Sequence, residues 1–175
     1  MTNINEEIVA QYYEIQGYFV RRNLPFRRED RIKESDIDIL AYDPETGDRL
    51  IVEVKGMFQL PLTPSNLRDR GGFDRLFPRK AIKKAKEYFG KGGKIKRVFV
   101  WSHKGCEDST EKAERMLKEE KGVNQILYFK HDILPVLIDE IDDDKNKDRS
   151  YSGIQQLIRI LLKYEFIKND IAEDY

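Results

Sequence analysis

Cysteine is almost absent from this sequence. Cys106 stands alone in 175 residues, so no internal disulfide can form and no thiolate cluster can hold zinc. The two histidines, His103 and His131, are too far apart to form a helical or hairpin pair, which removes the remaining zinc motifs. No run approaches the ~18 consecutive apolar residues of a membrane span. The N-terminal MTNINEEIVA carries carboxylates where a secretory signal needs a basic and then an apolar stretch. A cytoplasmic chain with no membrane partner is the expectation. An excess of one charge is also missing, since 32 Lys+Arg balance 32 Asp+Glu. The balance hides a split: residues 1–105 hold 21 basic and 15 acidic side chains, net +6, and residues 106–175 hold 11 and 17, net −6. A polyanionic partner is therefore expected on the first part. With 39% hydrophobic residues the chain is long and apolar enough for one compact domain over 1–175, with a core at about 4–130 and a helical extension at about 131–175.

No internal repeat is present, and the acidic string 139–148 reads as a helix end or exposed loop. Ile4, Ile8, Tyr12 and Ile15 recur at helical spacing and Gly17 follows as a C-cap, which predicts a helix over 4–16 with that apolar stripe. A short strand over 18–22 follows, then a polar connection containing Arg27, Arg28 and Arg31. SDIDILAY (35–42) and RLIVEVKG (49–56) alternate around DPETGD, a turn-forming string, and predict a β-hairpin. Ile37, Ile39 and Ala41 then share an apolar face with Leu50, Val52 and Val54, while Asp36, Asp38, Glu53 and Lys55 take the opposite one. Residues 57–78 read as a long loop, of the kind that is functional or mobile. Pro78 opens a helix to about Phe89, 97–101 is a buried strand, 109–120 a polar helix and 125–129 a further strand. Asp132 is placed to cap a helix reaching about Ile141, and Ser152 with Gln155 forms a capping box for a last helix to about Ile167. The order α-β-β-β-α-β-α-β-α-α predicts an α/β protein, a central mixed β-sheet with helices on both faces and further helices at the C-terminal end.

Asp38, Glu53 and Lys55 carry the chemistry, because a hairpin projects two carboxylates and an ammonium to one side. Hard oxygen donors of this kind suit Mg²⁺ or Mn²⁺, which is commonly shared between one or two carboxylates and phosphate oxygens. A phosphodiester is then the natural substrate. The metal would polarise the phosphoryl group and lower the pKa of a bound water, and Lys55 would stabilise developing charge or position that water. The competing explanation is an ordinary solvated hairpin face, where charged cross-strand pairs are common.

The string SDIDILAYDPETGDRLIVEVKG, an Asp followed fifteen residues later by Glu-x-Lys after an apolar strand, resembles the signature of the PD-(D/E)XK, or restriction endonuclease-like, nucleases. Their shared core of helix, three strands, helix and strand is the order read here. Within that superfamily the chain is most similar to the archaeal Holliday junction resolvases, which open with a helix carrying a Glu and then a Gly-aromatic-x-Val-x-Arg run, here GYFVRR (17–22). The resemblance covers about residues 4–101. It implies a Mg²⁺- or Mn²⁺-dependent DNA endonuclease of repair or recombination, with Asp38 and Glu53 as metal ligands and Lys55 as catalytic cation. The family's helix-one Glu lies eleven residues before the Gly, which implies Glu6 as a further ligand; periodicity by itself does not separate Glu6 from Glu7. Ile37 stands where the family often has Pro, Asp36 adds a carboxylate, and the 57–78 loop is longer than a small resolvase needs.

Arg68, Arg70 and Arg75 in that loop, and Arg79, Lys80, Lys83, Lys84 and Lys86 in the helix after it, are the candidates for gripping DNA phosphates. GKGGK (90–94) lacks the phosphate-loop pattern and follows a helix, so it reads as a C-cap. His103 and His131 read as surface or capping residues, Cys106 as a bystander, and Tyr12, Tyr13, Tyr18 and Trp101 as core or rim. The alternatives to a nuclease are a nuclease-fold DNA-binding module that does not cleave, or a subunit of a larger complex; RNA processing on the same fold has no aromatic recognition motif behind it. Ile154, Leu157, Ile158, Ile160, Leu161, Leu162, Tyr164 and Ile167 fill over half the wheel of the last helix. Such a helix lies deep in its own domain or packs on a second subunit, and the resolvase resemblance implies a C2 homodimer.

Overall fold

The computed structural model describes residues 3–27, 34–55, 60–90 and 92–142. Helix α1 (Ile4–Ile15) starts at Asn3, whose side chain accepts from the Asn5 N–H, and leads to strands β1 (Phe19–Arg27), β2 (Glu34–Tyr42) and β3 (Arg49–Val54). There follow β4 (Pro61–Leu62), α2 (Pro64–Asp69), a 3-10 turn (Phe73–Arg75), α3 (Arg79–Phe89), β5 (Ile95–Trp101) and β6 (His103–Lys104). Helix α4 (Glu107–Lys121), β7 (Gln125–Tyr128), a π-turn (Phe129–Ile133) and α5 (Leu134–Asp142) complete the order. The main sheet runs β1-β2-β3-β5-β7, antiparallel over its first three strands and parallel from β3 to β7. The fold is mixed α/β, a five-stranded mixed sheet flanked by helices.

Burial explains this arrangement. In β5, Val98, Phe99, Val100 and Trp101 are all 0% exposed, the continuous apolar run of a strand covered on both faces. Ala81 and Ala85 of α3 and Ala113 and Leu117 of α4 pack with Leu40, Ile51, Phe99 and Trp101 on one face. Val9, Ala10 and Tyr13 of α1 and Leu137 of α5 pack with Ile39, Ala41, Val52, Val98 and Val100 on the other. Parallel neighbours need crossovers, and α3 and α4 provide them on the same side, as a constant crossover hand requires.

Four expectations are corrected. The α1 contact is made by Asn5, Val9, Ala10 and Tyr13, whereas Ile4 is 54% exposed and Ile8, Tyr12 and Ile15 only flank it; Val9 and Ala10 are small enough to let the helix approach the sheet closely, and a stripe drawn through the largest apolar side chains passes over them. Strand β1 does not stop at Arg22 but reaches Arg27 through Pro25. Proline is tolerated because β1 is an edge strand paired with β2 alone. The described part of the 57–78 segment is ordered: β4 pairs with β6, and the Thr63 hydroxyl caps α2 by accepting from Asn66 N–H at 3.2 Å. Asp132 lies inside the π-turn and accepts from Tyr128 N–H at 2.7 Å instead of capping α5. The last helix, with Ser152 and Gln155, lies outside the described residues. Among the described residues no helix is long and apolar enough to cross a membrane.

Candidate active site

The site is built where β2 leaves β3. Their ladder runs from Tyr42↔Arg49 to Ile39↔Val52 and ends there, so Asp38 has no cross-strand partner on β3. On the other side the β1 register passes from Arg22↔Ile39 to Leu24↔Ile37, skipping Asn23 and Asp38. Asn23 has φ +52°, a left-handed conformation that asparagine tolerates better than most residues. This kink corrects the expected alternation: Ile37 packs with Leu24, Phe26 and Ile51, on the face opposite Ile39 and Ala41. Nor is the Asp38 face of the hairpin polar throughout, since Leu40 and Ile51 are buried under α3. Polarity is confined to the strand ends.

The gap is closed by a side chain. Asp38 Oδ2 accepts from Val54 N–H at 2.7 Å, taking the backbone donor that a continued ladder would have used. Lys55 N–H donates to Val100 carbonyl on β5 at 2.9 Å, and Lys55 Nζ donates to Glu53 Oε1 at 2.7 Å. All three predicted side chains therefore meet at one strand end. Burial pushes the Asp38 carboxyl up to about 7, Glu53 adds to the rise, and Lys55 and the Val54 N–H oppose it. Burial pushes Lys55 down, but the charges of Glu53 and Asp38 more than offset this and hold it above its usual value. Burial also raises Glu6; a hydrogen bond from Asn3 works against that rise, and the charges of Lys55, Asp36 and Glu53 all reach Glu6. The two helix-one glutamates are thus distinguished: Glu7 pairs with Arg22 at 3.1 Å, which also holds Glu14 at 2.9 Å, and Glu6 lies beside the cluster.

A cavity of about 370 Å³ opens onto this strand end, walled by Asp36, Asp38, Glu53 and Lys55 on one side and by Arg70, Gly71, Arg75 and Pro78 on the other. Gly71 is required by close approach, since a Cβ there would lie 2.6 Å from Leu67 carbonyl oxygen and 3.1 Å from the Trp101 ring. Of the eight predicted phosphate contacts, Arg70 and Arg75 line this cavity. Arg68 is exposed on α2, Arg79, Lys80 and Lys84 lie along α3 outside the cavity wall, and Lys83 lines a separate groove with Lys86. Sequence reasoning missed Gly71; its adjacency to Gly72 was the available signal.

Among the described residues no group of three or more His, Cys, Asp or Glu side chains is placed to hold a metal ion. The donor chemistry nonetheless suits a hard divalent cation. Asp38 and Glu53, with Glu6 near, set three carboxyl groups against one ammonium, and the charges of Glu53 and Glu6 add to the rise that burial imposes on Asp38.

No protein-family model matches the chain, and no curated protein matches it. Among solved structures it is similar to a crystal structure of a protein of unknown function, AF1548, with TM-score 0.49 and 16% identity over 79% of this chain and 66% of that one.

Proposed function

We propose that this chain is a divalent-metal-dependent DNA endonuclease of the PD-(D/E)XK type. The observation that carries the reading is the convergence of Asp38, Glu53 and Lys55 at the β2–β3 split, facing a cavity rimmed by Arg70 and Arg75. Carboxylates ringed by guanidinium groups are poorly explained as a solvated hairpin face and well explained as a place for a cation and a phosphodiester together.

Asp38 and Glu53 would hold Mg²⁺ or Mn²⁺, with Glu6 as the third carboxylate; when bound, the ion supplies Lewis-acid polarisation and a more acidic water. The chain's own residues do the rest. Arg70 and Arg75 bind nonbridging phosphate oxygens and set the register of the strand. The Val54 N–H fixes the Asp38 carboxylate, and the Lys55–Glu53 pair fixes Nζ, which stabilises the charge that develops as water oxygen bonds to phosphorus and one P–O ester bond breaks. The departing alkoxide oxygen is protonated from solvent.

Plasmid nicking tests this directly. Purified protein with Mg²⁺ or Mn²⁺ relaxes supercoiled DNA, and Glu53→Ala does not. Salt-sensitive DNA binding without cleavage in either metal would refute the enzyme and leave a non-cleaving module.

A further inference from the structure

Large apolar side chains grouped in contact with water usually mark a binding surface. Among the described residues three large hydrophobic side chains are exposed, and two of them, Phe19 at 68% and Tyr88 at 52%, line one groove of about 330 Å³. We propose that this groove, between edge strand β1 and the C-terminal half of α3, binds an unpaired DNA strand: Phe19 and Tyr88 stack on bases, and Arg21, Arg49 and Lys84 take the adjoining phosphates. The inference rests on the nuclease reading for its polymer and specifies the form, a duplex with a single-stranded extension beside the scissile bond.

Registers place the groove on the face that carries the carboxylates. Phe19 pairs with Tyr42 and Tyr42 with Arg49, while Arg21 pairs with Leu40 and Leu40 with Ile51; paired residues share a face, and Leu40 and Ile51 are buried under α3. Asp38 lies on β2 four residues before Tyr42, about 13 Å at roughly 3.3 Å per residue, or about four steps of a DNA strand at ~3.4 Å each. Helix α3 connects the two places: Pro78 and Ala81 line the carboxylate cavity, and Tyr88 and Phe89 line the groove. Lys84, one turn before Tyr88, lies on the same flank.

The chemistry separates a single strand from other occupants. The Arg49 guanidinium is 6.0 Å from the Phe89 ring centroid, and neither Arg21 nor Arg49 has an acidic partner among the described residues. Aromatic faces interleaved with cations are how single-stranded nucleic acid is held. A duplex keeps its base faces stacked inside and has no use for Phe19 and Tyr88. An apolar protein partner would bury two uncompensated guanidinium groups at a penalty.

Fluorescence anisotropy in EDTA, with a blunt duplex and the same duplex carrying an oligo(dT) extension, tests the groove without cleavage. Wild type binds the extended duplex more tightly. Phe19→Ala/Tyr88→Ala loses roughly 5- to 150-fold per stacked base on the extended duplex and stays within about twofold on the blunt one. Both side chains are exposed, so an unchanged Tm establishes that the variant is folded. A Tyr88→Trp variant gives a second readout, because Trp101 is 0% exposed and only the new indole is quenched by the extension. Equal affinity of wild type and double variant for the extended duplex overturns the proposal. So does a double variant that turns a dimer into a monomer with DNA affinity unchanged, which would make the groove an interface between copies. Nicking assays separate the two readings: if wild type cleaves nothing yet the extension preference disappears in the variant, the groove stands and the nuclease falls. If wild type cleaves and the variant keeps the preference, the groove falls and the nuclease stands.

Discussion

Replacing Asp38 by Asn should stabilise the metal-free protein at alkaline pH and do little at acid pH. The folded carboxyl titrates at about 7 against an ordinary 3.8. A folded-state pKa above the unfolded one means that the native state binds more protons between these values, so stability falls as pH rises from about 4 to 7 and is level beyond. Ionising Asp38 in place therefore costs up to about 4 kcal/mol at pH 8, at 1.36 kcal/mol per pKa unit; water penetration reduces this, and ~2–4 kcal/mol is the expected range. The Asn carboxamide keeps an oxygen for the Val54 N–H, so the 2.7 Å hydrogen bond survives the change while the charge does not. For a chain of this size each kcal/mol moves Tm by about 2–4 °C, giving a gain of roughly 4–16 °C at pH 8. Thermal melts of both proteins in EDTA at pH 4 and pH 8 measure it. A gain of equal size at both pH values would refute the electrostatic reasoning, as would an Asn variant less stable at pH 8.

Lys55→Met should lower nicking by at least about 10²-fold and leave DNA affinity within about twofold, because one ammonium supplies little of the binding and a transition-state contact supplies catalysis; equal losses in nicking and anisotropy assays would make Lys55 structural. Arg70→Ala/Arg75→Ala should reduce the slope of log affinity against log salt by about 2, near 0.9 per phosphate lost, and an unchanged slope in anisotropy titrations would remove both from the DNA footprint. Gly71→Ala places a methyl 2.6 Å from Leu67 carbonyl oxygen and should destabilise by about 1–3 kcal/mol, a fall in Tm that calorimetry detects.

The sheet and its carboxylates were legible because long runs signal strongly. Asp38, Glu53 and Lys55 lie on alternating strands whose apolar positions are covered by helices, and the turn string between them fixes their register. What escaped was short or depended on one backbone angle. Strand β4 has two residues and α2 has six, too few for any periodicity, although Thr63-Pro64 is a legible helix start. Ile37 changes face because of Asn23 on the neighbouring strand, and no reading of β2 by itself contains that. Phe19 and Tyr88 are far apart in sequence, and only the packing of α3 over β1 brings them together. The resemblance implied Glu6 through its spacing from Gly17, and periodicity did not separate it from Glu7; that Arg22 pairs with Glu7 is a contact between α1 and β1 that no reading of the helix by itself contains.

The hydrogen bond that closes the β2–β3 gap turns Val54 into a natural gauge. In the rest of the ladder an amide proton is shielded by a neighbouring carbonyl, which carries no charge at any pH. The Val54 amide is shielded by a carboxylate, whose grip tightens on ionisation and slackens on protonation. Its exchange with deuterium should therefore slow as pH rises through 7 once intrinsic base catalysis is divided out, and its amide resonance should shift with the same midpoint. One backbone position thus reports the charge state of the site without a substrate or a change of sequence.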